Sequence, residues 1–340
     1  MMTTAESTAE STAELAVLKD LHRHTEVGPG YRQETVAVPG GLLTVGVWGP
    51  TDPAAPTILA VHGVSASHRS FGLLAEQLPE VRILAPDLRG RGRSNHLPGP
   101  FGMRTHAADM AAVIGELASG PVTVIGHSMG AFVTLVLAHL HPEQVSSVVL
   151  VDGGIPLKVP AGLGPDEIVQ AILGPVAERL AMRFGSVDEY RGFWQVHPAL
   201  GMAWGRGPGA EPGMRPLMED YIAYDLEPCA PADPSVGSLR PATRYEAMAQ
   251  DTQELQADGS LLAALEALAV PATLLWSARG LYNEQPGLYT PEYLAAWRDR
   301  VPALAAHLRS VEVPGTNHYT IVMAPAGAGA VAAVVRAEED

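Results

Sequence analysis

The segment Gly126-His127-Ser128-Met129-Gly130 places a hydroxyl between two glycines, directly after the apolar run Val122-Thr123-Val124-Ile125 and ahead of a helix-like stretch that ends before Pro142. Small residues on both flanks permit a sharp strand-to-helix turn that lifts Ser128 above a sheet, where its hydroxyl can serve as a nucleophile. A serine hydroxyl is weak near neutral pH, so this chemistry needs a base within hydrogen-bond reach and a third group to orient that base. His127 adjoins the serine, but neighbours on a tight turn point apart, and it reads as a polar structural residue. His68, His96 and His106 have no motif around them. Cys229 is the single cysteine, so no intrachain disulfide can form and no thiolate pair is available for a zinc site.

The elements that must hold such a serine are legible around it. Thr35–Val38 and Leu42–Trp48, separated by Pro39-Gly40-Gly41, read as a β-hairpin. Short, nearly continuous apolar runs follow at 57–61, 82–85, 122–125 and 148–151, with helical stretches predicted over 70–78, 104–118 and 129–141. Strands apolar on both faces and alternating with helices predict an α/β fold, a mostly parallel sheet covered by helices on both sides. The alternation breaks after residue 155, in a stretch rich in Pro, Gly, Met and aromatic residues with no recognisable buried strand, and it resumes at Pro271–Trp276 and Leu308–Val313. The chain therefore reads as a polar N-terminal tail over 1–20 and a core from 21–154 and 266–340, with a mainly helical lid inserted over 155–265. The glycine-rich run Ala326–Ala330 comes after the last strand and lacks the strand-turn-helix setting of a nucleotide loop, so it is assigned to a terminal helix.

Composition excludes several partners. With 22 Lys and Arg against 37 Asp and Glu, the formal net charge of −15 repels nucleic acid and anionic membrane surfaces. No run approaches the roughly 18 apolar residues of a membrane span. The N-terminus is acidic and polar where an export signal needs a basic start and an apolar stretch, so a cytoplasmic location is expected. No cofactor and no metal is implied by any segment, and the chain is compatible with a homo-oligomer.

Four segments resemble, in order, the α/β-hydrolase fold family: Val61-His62-Gly63, Pro86-Asp87-Leu88-Arg89-Gly90-Arg91-Gly92-Arg93-Ser94, the Ser128 turn, and Pro314-Gly315-Thr316-Asn317-His318. The resemblance runs from about residue 34 onward and is specific for the fold, with an eight-stranded sheet, but not for a substrate. It implies that His318 is the base, that backbone N–H groups of Met129 and Val64 form an oxyanion hole, and that His62 shapes the oxyanion loop. The acid departs from the family pattern. Its usual Gly-x-x-Asp is absent after the seventh strand, where the chain reads Trp276-Ser277-Ala278-Arg279-Gly280-Leu281-Tyr282-Asn283-Glu284. Asp152 at the end of the sixth strand and Glu284 past the usual site are the two candidates, and the sequence leaves both open.

The inserted segment carries Trp194, Trp204, Met202 and Tyr221, which are expected to contact a hydrophobic substrate. The resemblance thus predicts a serine hydrolase cleaving a small hydrophobic ester or lactone through an acyl-enzyme on Ser128. The sixth-strand candidate adds a likeness to lactone hydrolases of the zearalenone type. Hydrolysis of C–C bonds and cofactor-free perhydrolysis use the same residues, and a silent member of the fold would bind a small ligand without turning it over.

Overall fold

The apolar runs of the sequence form one eight-stranded sheet in the order β1-β2-β4-β3-β5-β6-β9-β10. Its strands are β1 Arg32–Val38, β2 Gly41–Trp48, β3 Thr57–Val61, β4 Arg82–Pro86, β5 Val122–His127, β6 Val145–Val151, β9 Ala272–Trp276 and β10 Leu308–Glu312. Only β2 runs against its neighbours; the remaining pairs are parallel. The computed structural model describes residues 30–158, 162–205, 212–229, 237–256 and 259–339, and the polar tail expected over 1–20 lies outside them.

The two-residue period of the central strands divides their side chains between two apolar layers. Leu59, Val61, Val124, Val148, Leu150 and Leu274 face one layer, covered by the helices Met103–Leu117 and Met129–Leu140. Ile58, Ala60, Ile125, Val149, Val151 and Leu275 face the other, covered by Gly72–Gln77 and Pro325–Glu339. The predicted helix over 70–78 is a 3-10 turn at His68–Phe71 running into Gly72–Gln77. The glycine-rich run lies within the terminal helix, as expected. There Gly327 lets the helix approach the preceding turn, since a Cβ would stand 2.3 Å from the carbonyl oxygen of Thr320.

The segment between β6 and β9 is mainly helical, with helices at Pro165–Leu173, Pro175–Ala181, Val187–Gln195 and Arg215–Tyr224. It differs from expectation in two respects. A short antiparallel hairpin, β7 Leu226–Pro228 with β8 Leu239–Pro241, stands where no strand was legible. Three-residue strands that each end in proline carry no alternation to read. In addition, the last part of 155–265 packs with the core. Leu261 and Leu265 of the helix Gly259–Glu266 belong to the apolar layer of the helix Met129–Leu140.

Buried polar contacts fix the helical segment to the core. Arg69 pairs with Asp220 at 3.0 Å and lies over the Tyr31 ring at 4.1 Å, and the Tyr224 hydroxyl donates to Asp87 at 2.7 Å. An ion pair with both partners buried adds little net stability, but breaking it leaves a stranded charge, so it favours one seating of the segment over others. Among the described residues, no helix is long and apolar enough to cross a membrane, and no group of three His, Cys, Asp or Glu could hold a metal.

Candidate active site

Strand β5 is buried along its whole length between β3 and β6, and the chain leaves it through Ser128 into the helix Met129–Leu140. Ser128 has φ 55° and ψ −123°. A non-glycine residue there costs on the order of 1–3 kcal/mol, which the surroundings must impose. They do so through the Ser128 N–H, which donates to the Val151 carbonyl at 2.9 Å, and through the absence of side chains on either flank. A Cβ on Gly126 would lie 2.4 Å from the Gly130 carbonyl oxygen, and one on Gly130 would lie 2.0 Å from that of Val61. The glycine spacing is thus a packing requirement of the turn.

Asp152 follows β6 and is fully buried, also at positive φ, 45°. Its Oδ2 accepts from His318 Nδ1 at 2.7 Å, and its Oδ1 accepts from the Ser277 N–H at 3.1 Å. His318 sits in the loop after β10, and its Nε2 is 3.0 Å from Ser128 Oγ. With Nδ1–H directed at a carboxylate, Nε2 is left as the acceptor for the serine proton, the tautomer that hydroxyl activation requires. Of the two carboxylates that the sequence left open, Asp152 alone stands behind His318. Glu284 is exposed and folds back on its own turn, where its side chain accepts from the Tyr282 N–H at 2.6 Å.

Two further histidines support this arrangement without exchanging protons. His127 Nε2 donates to the His318 carbonyl at 2.8 Å and steadies the loop. Burial, with the nearby His318, holds its pKa down to about 3, so the ring stays neutral. His62 accepts from the Leu88 N–H at 3.0 Å and donates from Nδ1 to the Gly63 carbonyl at 2.8 Å, bracing the loop after β3. Burial lowers its pKa to about 4.

Several contributors escaped the sequence reading. Buried Arg91 donates from Nε to the Val64 carbonyl at 2.9 Å and pairs with Asp251 at 2.6 Å. It thereby ties the loop that carries one expected oxyanion donor to a carboxylate far along the chain. Asn317 donates to the Ala199 carbonyl of the inserted segment at 3.0 Å, while its Oδ1 accepts from the N–H groups of Tyr319 and Thr320. Ser277 donates from its hydroxyl to the Thr316 carbonyl at 2.6 Å, joining the β9 end to the His318 loop. Arg91 lies in the Arg-Gly-Arg-Gly-Arg motif and Asn317 in the segment that ends at His318, but the partners of both are set by tertiary contact.

Above Ser128 lies a cavity of about 40 Å³ bounded by Gly63, Val64, His318, Trp194, Tyr221 and Met323 among others. Trp194 and Tyr221 are thus among the residues that line this cavity. Met202 and Trp204 line neither this cavity nor the one that adjoins it. They pack, partly buried, against the apolar layer that the segment shares with the central sheet, and Trp204 Nε1 donates to Glu219 at 3.0 Å. Leu173, Val176, Leu281 and Tyr319, which were not singled out, complete the walls. Met129 opens a helix whose first N–H groups have no partner within the helix, and Val64 lines the cavity beside Ser128.

Comparison with known proteins supports the fold. The family described as "alpha/beta hydrolase fold" matches residues 56–205. The chain is similar to Lipase LipV of Mycobacterium tuberculosis, 39% identical over 131 residues, a match covering 38% of this chain but only 48% of the lipase. It is also similar to the 3-hydroxybutyrate-oligomer hydrolase of Cupriavidus necator, 28% identical over 301 residues, covering 85% of this chain and 91% of that one. Among solved structures, E-2-(acetamidomethylene)succinate hydrolase superposes with a TM-score of 0.67 at 23% identity, over 90% of this chain and 97% of the other.

Proposed function

The chain is an α/β-hydrolase by fold, and from that premise we propose that it is a serine hydrolase that cleaves a carboxylic ester or lactone of a hydrophobic substrate. The observation that carries the reading is the unbroken relay from Ser128 through His318 to Asp152, at 3.0 and 2.7 Å. Hydrolytic activity is further supported by the lipase and hydrolase names of the relatives.

Ser128 Oγ attacks the carbonyl carbon while His318 Nε2 takes its proton, and Asp152 stabilises the imidazolium that forms. The oxygen gains negative charge in front of the Met129 and Val64 N–H groups, each worth a few kcal/mol of transition-state stabilisation. Collapse of the tetrahedral intermediate breaks the C–O bond, with His318 returning its proton to the leaving alkoxide. Water, deprotonated by the same His318, then releases the acid from the acyl-enzyme and restores Ser128.

Labelling with a fluorophosphonate, together with turnover of p-nitrophenyl esters of increasing acyl length and a few lactones, tests the reading. Wild type is expected to take the label and hydrolyse at least one member of the panel, and Ser128→Ala to do neither. An unlabelled, inactive wild type would overturn the proposal in favour of a ligand-binding protein. Labelling without hydrolysis of any ester or lactone would instead point to C–C cleavage or perhydrolysis on the same residues.

A further inference from the structure

A second cavity, of about 190 Å³, adjoins the one above Ser128 and shares Val176, Trp194 and Tyr319 with it. Its remaining walls include Phe193, His197 and Tyr282, so most of the lining side chains carry rings. The rings brace one another: His197 lies 5.4 Å from Trp194, 5.3 Å from Tyr282 and 5.6 Å from Tyr319 between centroids. Such a frame is preformed and loses little conformational freedom when a planar group enters.

The volumes divide the substrate. A cavity of roughly 150 Å³ with apolar walls takes up benzene, so about 190 Å³ holds one six-membered ring. The 40 Å³ beside the serine holds only a short group. The charges around the outer cavity are already neutralised. Arg179 pairs with Asp225 at 2.5 Å and donates to the Ser65 carbonyl at 3.2 Å. His197 accepts from the Ala199 N–H at 3.2 Å. Burial, aided by Arg179, lowers its pKa to about 4, so it presents a neutral ring.

The geometry points to a leaving-group site for an uncharged aromatic ring, formed by Phe193, Trp194, His197, Tyr282 and Tyr319, so that the preferred substrates are short-acyl esters of arylmethyl alcohols. The reacting end of this assignment rests on the serine-hydrolase reading; the ring site does not. In the hydrolytic step the benzylic C–O bond to the acyl carbon breaks, the alkoxide takes the proton from His318 and departs as the alcohol, and Ser128 keeps the acyl group.

Benzyl, cyclohexylmethyl and ethyl acetate share similar alkoxide leaving groups, so differences among them report the pocket. On Ser128→Ala, which cannot turn them over, benzyl acetate titrated by ligand-detected NMR is expected to bind at least about tenfold more tightly than ethyl acetate and severalfold more tightly than cyclohexylmethyl acetate. Two second substitutions check the location. Tyr282→Ala, at a partly exposed loop position, and Val196→Trp, at a rim residue that is 70% exposed, should each remove most of the benzyl preference and leave ethyl acetate unchanged. Equal binding of benzyl and ethyl acetate, or a preference that survives both substitutions, overturns the ring site. Benzyl-selective binding without any turnover by wild type would leave the ring site standing and sink the hydrolase reading instead.

Discussion

An Asp152→Asn variant is expected to turn over its best ester about 10⁴-fold more slowly in kcat, the order seen when a triad carboxylate becomes an amide, with its fold intact by circular dichroism. The reason lies in the two partners of the carboxylate. The Ser277 N–H donates to Oδ1, so an amide must place its oxygen there and turn its NH₂ toward His318. His318 Nδ1 then becomes an acceptor, the proton moves to Nε2, and the ring can no longer take a proton from Ser128. Glu284→Gln should stay within about twofold of wild type, because that side chain caps its own turn away from His318. A large loss in Glu284→Gln with near-normal Asp152→Asn would reverse the assignment of the acid.

The second large effect is expected at a residue that never meets the substrate. Arg91→Met keeps much of the side-chain volume but leaves Asp251 buried beside His106 and the Gly102 N–H without its cation. Removing one partner of a buried pair costs about 3–5 kcal/mol, which urea unfolding would read as a lower midpoint. Turnover should fall as well, since the Val64 carbonyl loses its donor and the loop can shift. The pH dependence identifies the cause. Burial alone would raise the Asp251 pKa, but His106, Arg91 and the Gly102 N–H outweigh it and hold the group at about 2. A carboxyl depressed in the folded state stabilises the protein above its unfolded value near 4, and that contribution is lost as pH falls toward 2. Wild type should therefore lose stability across that window, and Arg91→Met should lose less. An unchanged urea midpoint at pH 7 would mean that Arg91 is not structurally required.

How much of this was legible depended on the range of the forces involved. Strands such as Val122–Ile125 and Val148–Val151 announce themselves because burial on both faces demands unbroken apolar runs. The Ser128 turn is visible for a local reason too, since its glycines are fixed by contacts within a few residues and with β3. The choice between Asp152 and Glu284 was hidden. It depends on where the β10 loop places His318 relative to the end of β6, and no local pattern encodes that. Trp204 and Met202 misled for a related reason: composition marks a side chain as apolar but not which apolar neighbour it meets. Arg91 and Asp251 pair across the molecule, so neither position advertises the other.

Ser128 at φ 55° and Asp152 at φ 45° follow adjacent strands, and each bonds one nitrogen of His318. Glycine would sit more comfortably at either place and, on the proposed mechanism, would abolish turnover. Selection for thermal robustness and selection for turnover therefore pull in opposite directions at these two residues. In a lineage released from the need to hydrolyse anything, they are the first positions at which the chain would drift, relaxing its backbone as it lost its activity.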